Sequence, residues 1–535
     1  MNLRSPLRFL LLLIWPLVFC SSVFGVDIRV PLDVPGIQQA IDIASDGDVI
    51  IVAAGVWNES INYSGKNIEI RSEDGPEVTR IEGNLDSSVV TINSGESNLA
   101  LLEGFAISGG GGFVTMGPRL GGGIYISSSS PQIRQCVVEN NQASMGGGIY
   151  IDGDPADPVE LQEVQILSNI ASDSGGGVAV IEAGMGVSMV DCTIQGNQAD
   201  TVAGAVYCEA SVLQMQSSVI SQNSSEMLVG GIWIYLGSDS NFNDCQMSQN
   251  SATIVGGALA VSDYSRTTVD HCTFTGNSGG SSGGGILFDV GEDQIVQEVR
   301  FSVFHDNMAA GTGSNVVSSF NPIQLVMERC TFGSPAPGSA SSIRINSPYP
   351  ESVLLDSCIV RGGALPSIEA VPGSTVSYFS CIEGLDASEV TPFNCIDEDP
   401  LFADPTSGNL TLLPGSPCID SGNPAQPADP DGSLADMGAL GITQSDNFRR
   451  GDVNVDGVSN IADAIQILGS LFIQGSDPLG CIDAGDCNDD GLLNISDAIT
   501  LLDTLFVSGT PLPVPVGNCG PDPTVDSLGC SNLCS

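Results

Sequence analysis

Basic residues are almost missing from this chain. Lysine occurs once, as Lys66, and histidine twice, as His271 and His305; lysine and arginine together number 15 against 63 acidic residues, a formal net charge of −48. Such a surface repels nucleic acid and anionic lipid and attracts divalent cations. So few histidines also leave no visible Ser-His-Asp or histidine-metal constellation. Aromatics are scarce, at 5%. Long apolar runs are confined to the start, where Arg4 and Arg8 precede Phe9 to Phe19 and then Ser21 to Gly25, the pattern of a secretory signal. Cleavage is expected after Gly25, because Phe19 makes Cys20 a poor lipoprotein site. Loss of this leader takes the charge to −50 and leaves 15 of the 16 cysteines. No other stretch is long enough to span a bilayer as a helix, so the mature chain is expected to be soluble and exported, either free or at a cell surface.

What is plentiful is glycine, 65 residues of it, arranged with a period of about 27. A glycine cluster and a short strand recur as Gly122-Gly-Ile-Tyr-Ile126, Gly147-Gly-Ile-Tyr-Ile151 and Gly176-Gly-Val-Ala-Val180, and on through Gly284-Gly-Ile-Leu-Phe288. Between them runs a second strand ending in an asparagine, at 141, 169, 197, 223, 250, 277 and 307. Glycine supplies turns with positive φ, and asparagine tolerates the left-handed conformation. The period is too short for a propeller blade and lacks a leucine grid, but it suits coils of short strands stacked on one another. The expected fold is mainly β, a parallel β-helix.

These paired motifs resemble the repeats of polymorphic outer-membrane proteins. The flanks, Ile37 to Gly55 and Asp399 to Asp420, resemble the right-handed, pectin-lyase-like β-helix group. The resemblance implies a scaffold over about 26–442, with a cap at 26–60, coils at about 60–400 and an end region at 400–442. It specifies no reaction. Cys136, Cys192, Cys245 and Cys272 share a column, which Cys330, Cys358 and Cys381 are expected to continue. Coils about 4.8 Å apart leave open a Cys245–Cys272 disulfide or a stack of buried thiols. Cys395–Cys418, and pairings among Cys481, Cys487, Cys519, Cys530 and Cys534, are stronger disulfide candidates.

After each glycine pair the first column (Ile124, Ile149, Val178, Val206, Ile232, Ala258, Ile286) reads as buried. Its neighbours (Tyr125, Tyr150, Ala179, Tyr207, Trp233, Leu259, Leu287) then point off the coil. Tyr125, Tyr150, Tyr207 and Trp233 fit stacking on the sugar rings of an extended polysaccharide, or packing beneath a loop. The following column holds Asp152, Glu209 and Asp289. Asp152 and Glu209 fall two coils apart, about 10 Å, too far for a carboxylate pair at a glycosidic bond. His271 and His305 read as solvated turn residues. Asp152, Asp154 and Asp157 offer a possible further Ca²⁺ site. Catalytic residues stay unidentified.

Near the C-terminus one loop is written twice, from Gly451 to Asp463 and from Gly485 to Asp497. Oxygen-bearing side chains stand at loop positions 1, 3, 5, 9 and 12: Asp452, Asn454, Asp456, Asn460 and Asp463, then Asp486, Asn488, Asp490, Asn494 and Asp497. Gly457 and Gly491 supply the sharp turn, and Val458 and Leu492 the position-7 carbonyls, a Ca²⁺ pattern. An apolar stretch with helical spacing follows each loop, from Ala464 to Phe472 and from Ala498 to Phe506. Over 449–510 the pair resembles a type I dockerin, which implies two Ca²⁺ ions, a small α-helical EF-hand-like domain (443–510, then a Pro/Cys-rich tail at 511–535) and a cohesin-like partner. Positions 10 and 11 are Ile461-Ala462 and Ile495-Ser496 rather than the Ser-Thr pair many dockerins carry, so partner specificity does not transfer. The combined expectation is an exported Ca²⁺-binding β-helix protein that binds polysaccharide or a cell-surface partner. The alternatives are a polysaccharide lyase or glycoside hydrolase on the same scaffold, and a structural surface protein or adhesin.

Overall fold

The computed structural model describes residues 25–516 apart from 115, 154–155, 291–294, 312, 319–323, 338, 340, 363–365, 388, 414, 430–432, 441–447, 455–456, 474–478, 480 and 508–510. The expected leader up to residue 24, Asp154, Asp456, Cys519, Cys530 and Cys534 lie outside the described residues.

Short strands coil into a parallel β-helix with three long sheets, of 15, 13 and 12 strands, and a fourth of 8. The first sheet runs from Asp27–Val30 to Val390–Phe393, the second from Gly55–Trp57 to Cys381–Ile382, and the third from Ile61–Asn62 to Ile368–Ala370. The fourth begins with the antiparallel pair Phe113–Val114 and Arg119–Leu120 and ends at Ser278–Gly279. Helix α1 (Ile37–Ile43) buries Ile37, Ala40 and Ile41 at the N-terminal end. Lys66 closes that helix, its Nζ donating to the Ile41 and Asp42 carbonyls at 2.6 and 2.9 Å. The single lysine is therefore structural.

Alternation sets the interior. In the third sheet Ile124, Ile149, Val178, Val206, Ile232, Leu259 and Ile286 stack in register and are fully buried. One expectation slips here: Leu259, not Ala258, pairs with Ile232. Ala258 occupies the place of Gly231, so a one-residue shift exchanges the two faces in that coil. Phe274, Phe304 and Phe332 stack at 4.7 Å spacings elsewhere in the core.

The asparagines are not the left-handed turn residues. Positive φ falls one residue earlier, at Asn140, Ser168, Gly196, Gln222, Gln249, Gly276 and Asp306. The asparagines that follow are buried and hydrogen-bonded rung to rung. Asn169 Nδ2 donates to the Asn197 Oδ1 at 3.0 Å and to the Val138 carbonyl at 2.9 Å, and each later coil repeats the geometry as far as Asn307. The ladder satisfies backbone groups that a tight turn would otherwise orphan inside the core.

In the C-terminal segment, helices α2 (Ile461–Phe472), α3 (Ile482–Gly485) and α4 (Ile495–Phe506) surround Val453, Ile467, Ala484 and Leu501. Asn460 and Asn494 are N-caps of α2 and α4, and Asp463 and Asp497 complete reciprocal capping boxes. Loop positions 9 and 12 thus start each helix.

Candidate functional site

The outer face of the first sheet carries a continuous polar surface. Its inward residues Met189, Met215, Phe242 and Val269 are buried. The alternating residues Ser188, Gln214, Gln216, Asn241, Asn243, Thr268 and Asp270 line a groove of about 310 Å³. Register places them in two columns, Ser188–Gln214–Asn241–Thr268 and Val190–Gln216–Asn243–Asp270. Each rung is about 4.8 Å from the next. Amide and hydroxyl groups therefore repeat along the coil axis, offering both donors and acceptors.

At one end of the groove Asp270 Oδ1 lies 2.9 Å from His271 Nδ1. His271 is a turn residue with φ 49°, as the sequence suggests, and its half-exposed ring stacks on Phe301 at 4.8 Å. Arg300, in register with Asp270, is held by Glu298 at 3.1 Å and Glu328 at 3.4 Å. Arg329 lies over the Phe301 ring and pairs with Asp429 at 2.6 Å. These two guanidinium groups are balanced by carboxylates.

His305 departs from its expected solvated place. It is 8% exposed, and the backbone of Gly408 from the end region sits against its ring. That region packs over the outer side of the last coils, a cover that strand alternation alone does not reveal.

The aromatic column points off the coil as expected but is covered. Tyr125, Tyr150 and Tyr207 are 8%, 6% and 8% exposed. Phe113, from the short antiparallel pair, stacks on Tyr125 at 4.4 Å, and Leu120 and Met145 complete the cover. Trp233 is half-buried, and its Nε1 donates to the Ser262 hydroxyl at 2.7 Å. Tyr207 donates to Glu209 Oε2 at 2.8 Å. Tyr235, missed in the sequence, stacks against Tyr207. Tyr125, Tyr150 and Tyr207 are thus packed under neighbouring segments rather than open to a sugar, and Trp233 is covered only in part.

Asp152 and Glu209 are two rungs apart in the third sheet, joined through Ile181. Burial pushes the Asp152 carboxyl above its ordinary value, with the Glu182 charge adding and hydrogen bonds from Ser127 and Tyr150 opposing. A raised folded-state pKa contributes stability below the unfolded value, which is lost as pH rises through the folded one. Asp152→Asn should therefore raise stability at pH 7 by roughly 0.3–1 kcal/mol, after allowance for its partial exposure. Denaturant titrations across pH check this, since the gain should vanish below about pH 4.

In the second C-terminal loop, Asp486 Oδ2 accepts from Gly491 N at 2.8 Å, and Asp497 Oδ2 from Asn494 N at 2.8 Å. Asp486 and Asp497 are buried side by side, and burial together with the Asp486 charge pushes the Asp497 carboxyl up. The Leu492 carbonyl meets the Asn494 amide at 3.1 Å, and Asn488 meets Asp490 at 2.9 Å. The first loop repeats this, with Asp452 accepting from Gly457 N at 3.0 Å, Asp463 from Asn460 N at 2.8 Å and from Asn454 N at 3.3 Å, and the Val458 carbonyl facing the Asn460 amide at 2.9 Å. Among the described residues no three acidic, histidine or cysteine side chains converge as a metal group. The buried carboxylates of both loops are met by backbone N–H groups, and the Val458 and Leu492 carbonyls by asparagine amides; these side-chain and peptide oxygens are the groups that could hold a hard cation. Arg450, unremarked in the sequence, is fully buried, donates to the Asp486 carbonyl and pairs with Asp489 at 2.9 Å.

Cys136, Cys192, Cys245, Cys272, Cys330 and Cys358 are buried thiols; burial pushes Cys136 up to about 12 and Cys192 to about 11. Cys381, Cys395 and Cys418 are unbonded thiols, so the expected Cys395–Cys418 bridge is not formed here, and Cys487 is a buried thiol, while Cys481 is disulfide-bonded.

A family model for the right-handed β-helix region matches residues 123–296. No curated protein matches the chain. Among solved structures, a pectate lyase is 11% identical, with 76% of this chain and 90% of that chain covered at a TM-score of 0.34. The catalytic domain of a GH87 α-1,3-glucanase is 12% identical, covering 73% and 70% at 0.37. A mannuronic-acid-specific family 6 lyase from human gut microbiota is 11% identical, covering 70% and 91% at 0.33. Likeness at this level carries neither substrate nor reaction to this chain.

Proposed function

We propose that this chain is an exported β-helix protein that binds an extended, uncharged polysaccharide along the outer face of its first sheet. In this reading the C-terminal loops bind two Ca²⁺ ions and form a docking unit for a cohesin-like or cell-surface partner. The observation that carries it is the groove from Ser188 to Asp270, whose amides and hydroxyls recur coil after coil. Repeated neutral donors and acceptors match a chain of sugar hydroxyls. Neighbouring carboxylates and a net charge of −48 disfavour uronates. Gln214→Ala combined with Asn241→Ala should weaken binding to a soluble neutral glucan at least tenfold by calorimetry, and unchanged affinity would reject the groove.

Asp270 beside His271 favours a second reading, an enzyme acting on the same ligand with His271 as general base. Incubating the full chain with neutral and acidic polysaccharides, with and without Ca²⁺, separates the two. New reducing or unsaturated ends that disappear in His271→Ala would replace the binding-only reading.

A further inference from the structure

Cys381 was expected to continue the inward column of Cys330 and Cys358. The register places it differently. Thr331, Ile359 and Cys381 align, and Ser380 takes the column position, its hydroxyl accepting from the Cys358 N–H at 3.0 Å. A one-residue shift turns Cys381 to the outer face. There the end region closes over it: Cys381 and Cys418, both free thiols in this structure, are fully buried in one cluster with Ile359, Leu412 and Met437, and Cys381 Sγ meets the Glu398 carbonyl at 3.2 Å. Gly438 N donates to the Ser357 carbonyl at 2.7 Å, and Ala439 N to the Thr331 hydroxyl at 2.9 Å, fixing the cover in place.

We infer that Cys381 and Cys418 form a disulfide that staples the end region to the last coils of the solenoid. The other thiol neighbours are built differently. Cys245 and Cys272, and likewise Cys330 and Cys358, sit beside strands paired in parallel register. Parallel pairing fixes the backbones of such rungs about 4.8 Å apart, so drawing these sulfurs into the bond geometry would strain the ladder on both sides. Cys418 lies in a turn outside the ladder, so no rung spacing holds it away from Cys381. Cys395, the partner expected from sequence, has its Sγ 3.4 Å from the Ser377 carbonyl and faces the first sheet instead.

The bond needs an oxidant. With glutathione disulfide, one protein thiolate attacks one sulfur, forming a mixed disulfide and releasing one glutathione thiolate. The other protein thiolate then attacks the protein sulfur of the mixed disulfide and releases the second. Two protons and two electrons pass from the protein thiols to the glutathione pair. Both sulfurs are covered in the folded chain, so the bond forms as the end region docks.

The full chain, reduced and unfolded, is refolded in a glutathione redox buffer, alkylated, digested without reduction and mapped by mass spectrometry. This test does not depend on export or on the polysaccharide reading. The expected result is a peptide linked through Cys381 and Cys418 and lighter by two hydrogens, with Cys245, Cys272, Cys330 and Cys358 alkylated. Protease should cut the end region of the oxidised chain at least tenfold more slowly than that of the same chain after mild reduction. Cys418 linked to Cys395, or Cys381 and Cys418 both alkylated, would overturn the inference.

Discussion

Replacing Asn223 by leucine should destabilise the middle of the solenoid by about 4 kcal/mol, more than any surface change in this chain. Asn223 Nδ2 donates to the Ile194 carbonyl at 2.9 Å and to Asn250 Oδ1 at 3.0 Å. Its Oδ1 accepts from Asn197 N at 2.9 Å and from Asn197 Nδ2 at 3.0 Å. All these atoms are buried, so leucine strands the Asn197 N–H and the Ile194 carbonyl without water to replace the lost partner. The cost is the desolvation of those groups rather than the net worth of four hydrogen bonds. Because each coil touches chiefly its neighbours, the damage should be graded. Hydrogen exchange should accelerate most in the coils carrying Asn197 and Asn250 and fade toward Asn141 and Asn307. Uniform loss along the whole solenoid, or none, would contradict the ladder. Asn223→Asp adds a pH signature. An ionised carboxylate cannot donate to the Ile194 carbonyl or to Asn250 Oδ1, so its folded-state pKa must rise. Stability of that variant should be highest in acid and fall as pH rises through the raised value.

The same ladder shows how far the sequence could be read. The 27-residue period, the glycine pairs and the seven asparagines were all legible, because identical positions in stacked coils carry identical side chains. Their physical role was only half legible. Asparagine is at home both in a left-handed turn and in a buried amide ladder, and only the backbone showed that residues such as Gln222 and Gln249 make the turn. The aromatic column was placed on the correct face, yet Phe113 and Leu120 cover it from a segment of no repeating pattern. His305 failed for the same reason, since the end region that buries it lies far along the chain; Cys381 failed because a one-residue shift puts Ser380 in the cysteine column. The groove was missed altogether. Its glutamines and asparagines alternate with core residues and look like ordinary solvated positions until register aligns them across coils. Local periodicity fixes which side chains share a column; what lies over the column is long-range.

Excess chelator should unfold the C-terminal helices of the intact chain and leave the solenoid untouched. Ten aspartates fall between Arg449 and Thr510, and Asp452, Asp463, Asp486 and Asp497 are buried. Buried carboxylates placed together repel and pay desolvation unless a cation or several donors answer them. Donors are present: Gly457 N, Asn460 N, Gly491 N, Asn494 N and Arg449 Nη1 each meet one of the four. Asn454 N adds a second donor to Asp463, Asn488 N to Asp497, and Asp489 N and Asp490 N further ones to Asp486; these are neutral peptide donors, which a cation would surpass in neutralising these groups. Loop and helix also share residues, because Asn494 and Asp497 cap α4 while standing at loop positions 9 and 12. Loss of the ion therefore loosens the helix start as well as the loop. Amides of α2 and α4 should lose protection by roughly 100-fold in chelator, equivalent to the ~2.7 kcal/mol that a ligand at 100 times its Kd supplies. Refilling with Ca²⁺ should restore them, and Asp497→Ala should abolish the restoration in α4. The opposing element is Arg450, which ties the start of one loop to the other through Asp486 and Asp489. If protection in α2 and α4 survives chelator but collapses in Arg450→Met, the buried guanidinium is the internal cation that holds this unit, and Ca²⁺ is dispensable to its fold.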